Sequence, residues 1–126
     1  MVVHKHLIVR SEVKSPIISV EKAEDWLRRL VDAIGMQITE HGGPHCDYVK
    51  KDGNEGIAAI VMIETSHCSI HVWDKEDPPL VQVDVYSCAD YDHTEVLRFV
   101  DEMDCQTIHY TLIDRGADWL HIKESV

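Results

Sequence analysis

The chain has 126 residues, the size of one domain, and 44% of them are hydrophobic, enough to build a core without disulfide or metal staples. Twelve Lys and Arg against 23 Asp and Glu leave a net charge of -11, which disfavours nucleic-acid phosphates and anionic membranes and favours cationic small molecules. The four cysteines are widely spaced without a C-x-x-C pair, no apolar run is long enough to span a bilayer, and the opening residues lack a signal-peptide core; reduced thiols and a cytoplasmic protein are therefore expected.

Residues 4–10 are a short β-branched run that predicts a first strand, ended by the polar stretch that leads to Pro16. A helix is predicted from Ser19, with Glu21 in its first turn and Gly35 at its stop. Val20, Ala23, Trp26, Leu27, Leu30, Val31 and Ile34 recur at helical spacing, while Glu24, Asp25, Arg28, Arg29 and Asp32 form the solvated side. Residues 36–40 predict a second strand, and the Gly and Pro of residues 41–46 predict a loop. Turn chemistry around Gly53 precedes an apolar strand at 57–64, read as central. Residues 68–73 and 80–87 alternate, with Val81, Val83 and Val85 on one face and Gln82, Asp84 and Tyr86 on the other. Asp92, followed by Glu95, opens a second helix that carries Val96, Phe99, Val100 and Met103, and residues 106–113 close the sheet.

Two helices among mostly antiparallel strands predict an α+β two-layer sandwich in a single domain over residues 1–126, with both helices on one sheet face. Ile70, Val72, Val81, Val83 and Val85 are too many apolar residues for the helices alone to cover, so sheet-to-sheet dimerisation is expected.

The stretch Glu64-Thr65-Ser66-His67-Cys68-Ser69-Ile70-His71-Val72-Trp73-Asp74 joins two apolar strands and gathers a hydroxyl, two imidazoles and a thiol. Singly, these are a turn serine, strand histidines and a core cysteine. His67 and His71 point the same way on a strand and, with His45, Cys46 or Cys88, could ligate zinc. No second paired ligand motif accompanies them, so no resident metal is expected.

Taken in order, Ser-His-x-x-Ile-His-x-Trp followed by Val83-Asp84-Val85-Tyr86-Ser87-Cys88 closely resembles the heart of the prokaryotic S-adenosylmethionine decarboxylase proenzymes, and the similarity runs from residues 4–10 to about Arg115. The resemblance implies a pyruvoyl group generated from Ser66 by self-cleavage between Thr65 and Ser66, giving chains 1–65 and 66–126. It also implies His71 as the base for the elimination step and Cys88 as proton donor. Tyr48 takes the place of an adenine-stacking aromatic, Glu64, His67 and Glu76 become candidates for substrate binding, and a homodimer that supplies spermidine synthesis is expected.

The chain departs from the family pattern at four points. Thr65 stands where the family has Glu, with Glu64 displaced by one; Ala58 aligns with a hydroxyl residue that assists processing; Trp-Pro-Glu reads Trp73-Asp74-Lys75-Glu76; and the connection to Cys88 is longer. Three readings follow: decarboxylation of S-adenosylmethionine, decarboxylation of ornithine or arginine, and an unprocessed homologue that binds a partner.

Overall fold

The computed structural model describes residues 3–116 and 120–126. Its elements are β1 (Lys5–Val13), α1 (Val20–Ala33), β2 (His45–Lys51), β3 (Asn54–Ile63), β4 (Ser66–Trp73), β5 (Leu80–Ser87), α2 (His93–Val100), β6 (Cys105–Asp114) and β7 (His121–Ser125). The strands form one sheet in the order β2-β3-β4-β5-β1-β6-β7, with every neighbouring pair antiparallel. With both helices on one face, this is the α+β two-layer sandwich expected. Among the described residues no helix is long and apolar enough to cross a membrane.

Local chemistry sets the helix ends. The Ser19 hydroxyl accepts the Lys22 N–H at the start of α1, and Gly35 takes φ 76° just past its end, where a β-carbon would be strained. Ala23, Trp26, Leu27, Leu30 and Val31 are buried beneath the helix, over β2, β3 and β4. Asp92 caps α2 by accepting the Thr94 N–H, while Glu95 pairs with Arg98 instead of reaching back to the cap. The buried Trp26 indole donates to the Phe99 carbonyl at 3.0 Å, which ties the two helices together.

The structure overturns the argument that Ile70, Val72, Val81, Val83 and Val85 need a partner to cover them. All five are at most 2% exposed within the single chain. The register explains why: Ile70 pairs with Val83 and Val72 with Val81, so the two alternating rows merge into one surface beneath the helices. The open face is the other one, where Ile8, Ile60 and Met62 are 43%, 45% and 51% exposed.

Three boundaries also differ from expectation. Residues 36–40 are not a strand: they make a single bridge, Ile38 to Ile63, because β2 already occupies the edge of β3 as far as Ile60. β1 runs on to Val13, since Ser11 and Val13 turn inward with Leu7 and Val9. β6 does not close the sheet, because β7 pairs outside it; every β7 residue is exposed, so no burial alternation marks it in the sequence.

Candidate active site

The β3–β4 hairpin turns through Glu64 and Thr65, and Ser66 opens β4 opposite both Ile63 and Ser87. Ser66 has φ 146°, a backbone conformation that residues with a β-carbon rarely adopt. The carbonyl of Thr65, which forms the peptide bond to Ser66, accepts the Cys88 N–H at 2.8 Å. The Thr65 hydroxyl accepts from Ser87 Oγ at 2.9 Å and lies 3.2 Å from Met36 Sδ. Glu64 is exposed, and its N–H donates to the Gln37 carbonyl at 2.8 Å.

A second group lies on the open face. His67, Ser69 and His71 alternate to that side of β4, beside Asp84 of β5 and His6 of β1. His6 Nε2 is 2.9 Å and His67 Nε2 3.4 Å from Asp84 Oδ2, while Ser69 Oγ donates to Asp84 Oδ1. Burial pushes the Asp84 carboxyl up, but the hydrogen bonds from His6 and Ser69 and the charges of His6 and His67 outweigh it and hold the group below the usual carboxylate range. A shallow groove runs past His45, Ala58, His67, Ser69 and His71. Among the described residues no set of three or more His, Cys, Asp or Glu side chains could hold a metal ion.

The third group is at the far end of β4. The Trp73 ring stacks on His71 and donates its indole N–H to Asn54 Oδ1 at 2.7 Å. Tyr48 donates to both carboxylate oxygens of Asp74, at 2.9 and 3.0 Å, and its ring packs against the core cluster. Gly56, at φ 143°, allows β3 to pass close beneath this end of β4; a β-carbon there would fall 1.7 Å from the Val72 carbonyl oxygen. Glu76 is exposed and shares a groove with Arg10, Glu12, Trp73 and Asp77.

A family model described as S-adenosylmethionine decarboxylase matches residues 6–116. The chain belongs to the S-adenosylmethionine decarboxylase family. A relative from Archaeoglobus fulgidus, an S-adenosylmethionine decarboxylase proenzyme, is 27% identical over 121 residues, which cover 92% of this chain and 100% of the relative. The crystal structure of the adenosylmethionine decarboxylase from Aquifex aeolicus has the same fold, with a TM-score of 0.71 at 22% identity over 92% of each chain.

Against the expectations drawn from this decarboxylase family, the single chain brings Thr65, Ser66 and Cys88 together and leaves His71 apart. Ser66 and His71 lie on the same strand, about 16 Å apart at the usual rise. Tyr48 and Glu76 are also at the far end, and the Tyr48 ring is turned toward the core. His67 joins Asp84 on the open face. Of the four cysteines, Cys68 is fully buried with its thiol pushed up to about 12, so it is a core residue.

Sequence reasoning missed Ser87, Met36, Asp84 and His6. The signal for Ser87 was present: a serine continuing the inward row Val81, Val83, Val85 has to find a buried hydrogen-bond partner. Asp84 had a similar signal, as a carboxylate facing the same side as two strand histidines.

Proposed function

We propose that this chain is a self-processing, pyruvoyl-dependent decarboxylase acting on S-adenosylmethionine and supplying the decarboxylated product for spermidine synthesis. The observation that carries the reading is the Thr65–Ser66 peptide, with its carbonyl held by the Cys88 N–H and its serine at φ 146°. Attack of Ser66 Oγ on the Thr65 carbonyl carbon places negative charge on the oxygen that this N–H already holds. The Oγ–C bond forms, the hydroxyl proton passes to the peptide nitrogen, the C–N bond breaks, and an ester remains. Removal of the Ser66 α-proton then breaks the Cβ–Oγ bond, releasing residues 1–65 with a free carboxylate; addition of water and loss of ammonia leave pyruvoyl at position 66. A pyruvoyl carbonyl supplies the electron sink that decarboxylation of an α-amino acid needs. Cys88 Sγ, one residue past the partner of Ser66 in β5, returns a proton to the substrate carbon.

The base for the α-proton is His71, and its separation from Ser66 along β4 supports its coming from a second copy. A homodimer packed across the open face, with Ile8, Ile60 and Met62 in the contact, supplies it. The name of the Archaeoglobus fulgidus relative, a proenzyme, supports self-processing.

A second reading, decarboxylation of ornithine or arginine by the same chemistry, is favoured by the Tyr48–Asp74 pair, which holds the aromatic ring against the core instead of presenting it to an adenine. Intact mass is the first test. The wild-type chain should split into residues 1–65 and a blocked 66–126, and Ser66→Ala should stay whole. A wild-type chain that remains intact with an ordinary serine at 66 overturns the catalytic reading in favour of an inactive, partner-binding homologue. Carbon dioxide release by the split protein from S-adenosylmethionine, ornithine and arginine then decides the substrate.

A further inference from the structure

We infer that Ser87 is a positioning residue for the self-cleavage, acting through Thr65; this rests on the reading of Ser66 given above. Ser87 is 0% exposed and continues a row of buried valines, where an unpaired hydroxyl would be costly. Its Oγ accepts the Ala89 N–H at 3.0 Å and donates to Thr65 Oγ1 at 2.9 Å; Thr65 Oγ1 in turn donates to Met36 Sδ at 3.2 Å. The Ser87 hydroxyl also has Met36 Sδ within 3.9 Å, but Thr65 Oγ1 is the nearer acceptor, and successive bonds along the chain reinforce one another.

The result is a clamp on the acyl group that Ser66 must attack. Thr65 is held by its carbonyl, on the Cys88 N–H, and by its side chain, on Ser87; both anchors lie at the end of β5. With Thr65 fixed at two points and the register pairing Ser66 with Ser87, the bend between them is concentrated in the φ of Ser66. Ser87 touches neither the bond that forms nor the bond that breaks. Its contribution is to keep the carbonyl on its donor and within reach of the attacking oxygen, a geometry whose loss costs on the order of 10²-fold in rate. The pair is matched: Thr65 stands where the family pattern has a longer carboxylate, and its short hydroxyl reaches the buried Ser87 directly.

The test compares chain splitting in the wild type, Ser87→Ala and Ser87→Thr, together with the ester trapped by hydroxylamine in a His71→Ala background. Ser87→Ala should slow splitting on the order of 10- to 100-fold while staying folded at the assay temperature, and Ser87→Thr should restore the rate. His71→Ala blocks the later elimination step and lets ester accumulate, so adding Ser87→Ala should lower the hydroxylamine-cleavable fraction, a readout that a purely structural role would not move. Thr65→Val removes the same hydrogen bond while preserving shape; should Ser87→Ala fail to fold, Thr65→Val should still show the slowed first step. Splitting at the wild-type rate in Ser87→Ala or in Thr65→Val, or an unchanged ester fraction in the double variant, overturns the role of Ser87. If the wild type does not split at all, the reading of Ser66 falls and this one falls with it.

Discussion

Asp84 is the carboxylate on which the open face converges, bonded by His6 and Ser69 and close to His67. Its folded carboxyl is held below the usual range, so its pKa is lower folded than unfolded, where it is about 3.9. A group shifted in this direction contributes stability that is fully present above the unfolded value and is lost as pH falls through the folded one. Asp84→Asn should therefore lower stability by about 1–2 kcal/mol at pH 7. The gap should persist to about pH 5 and close toward pH 3 and below. Urea midpoints of the two proteins across this range are the measurement, and a gap independent of pH would mean that Asp84 acts by shape alone. Ser87 shows the same logic with a neutral group: a polar side chain in a buried row has to be explained by its partners, and those partners lead to the proposed scissile bond.

The hairpin of β3 and β4 and the helix layer have separate duties. The hairpin carries the proposed scissile peptide, whereas α1 and α2 cover the opposite face of the sheet and are joined to each other through Trp26. Trp26 is 1% exposed, and its indole N–H satisfies the Phe99 carbonyl. Trp26→Phe keeps an aromatic ring but removes that donor, so it should cost about 1–3 kcal/mol in urea unfolding. Under folding conditions the rate of chain splitting should be nearly unchanged. A large loss of splitting in a folded Trp26→Phe protein would place the helix layer inside the reaction machinery.

Across the whole chain, the proposed chemistry is divided between the two ends of β4. Thr65, Ser66 and Cys88 lie at one end, Trp73, Asp74 and Glu76 at the other, and His71 faces the open side between them. In the proposed isologous dimer, a contact between the Ser66 end of one copy and His71 of the other is made twice. Co-expression of Ser66→Ala with His71→Ala tests this arrangement. In the mixed dimer one site has both the wild-type serine and the wild-type histidine, so the His71→Ala chain should split while the Ser66→Ala chain stays whole. Mass spectrometry distinguishes the two chains, and no splitting beyond that of each variant alone would return His71 to its own protomer or to a structural role.

Periodicity and capping were enough to read α1, α2, the alternating strands β4 and β5, and the two-layer class, because burial on a single face imprints a period of 3.6 or 2 on the side chains. The order of Ser66, His71 and Cys88 was legible for a different reason: the proposed chemistry needs those groups at set places along a hairpin and the strand beside it. Residues 36–40 and β7 were misread because their state depends on which sheet edge is vacant, a property of neighbours far away in the chain. The side of the sheet left open was also misread, since only the pairing of Ile70 with Val83 and of Val72 with Val81 decides that both rows share one face. The clamp of Ser87 and Cys88 on Thr65 belongs to the tertiary structure alone. Strand register and the hydrogen bonds of a buried hydroxyl are set by residues distant in sequence, and no local pattern records them.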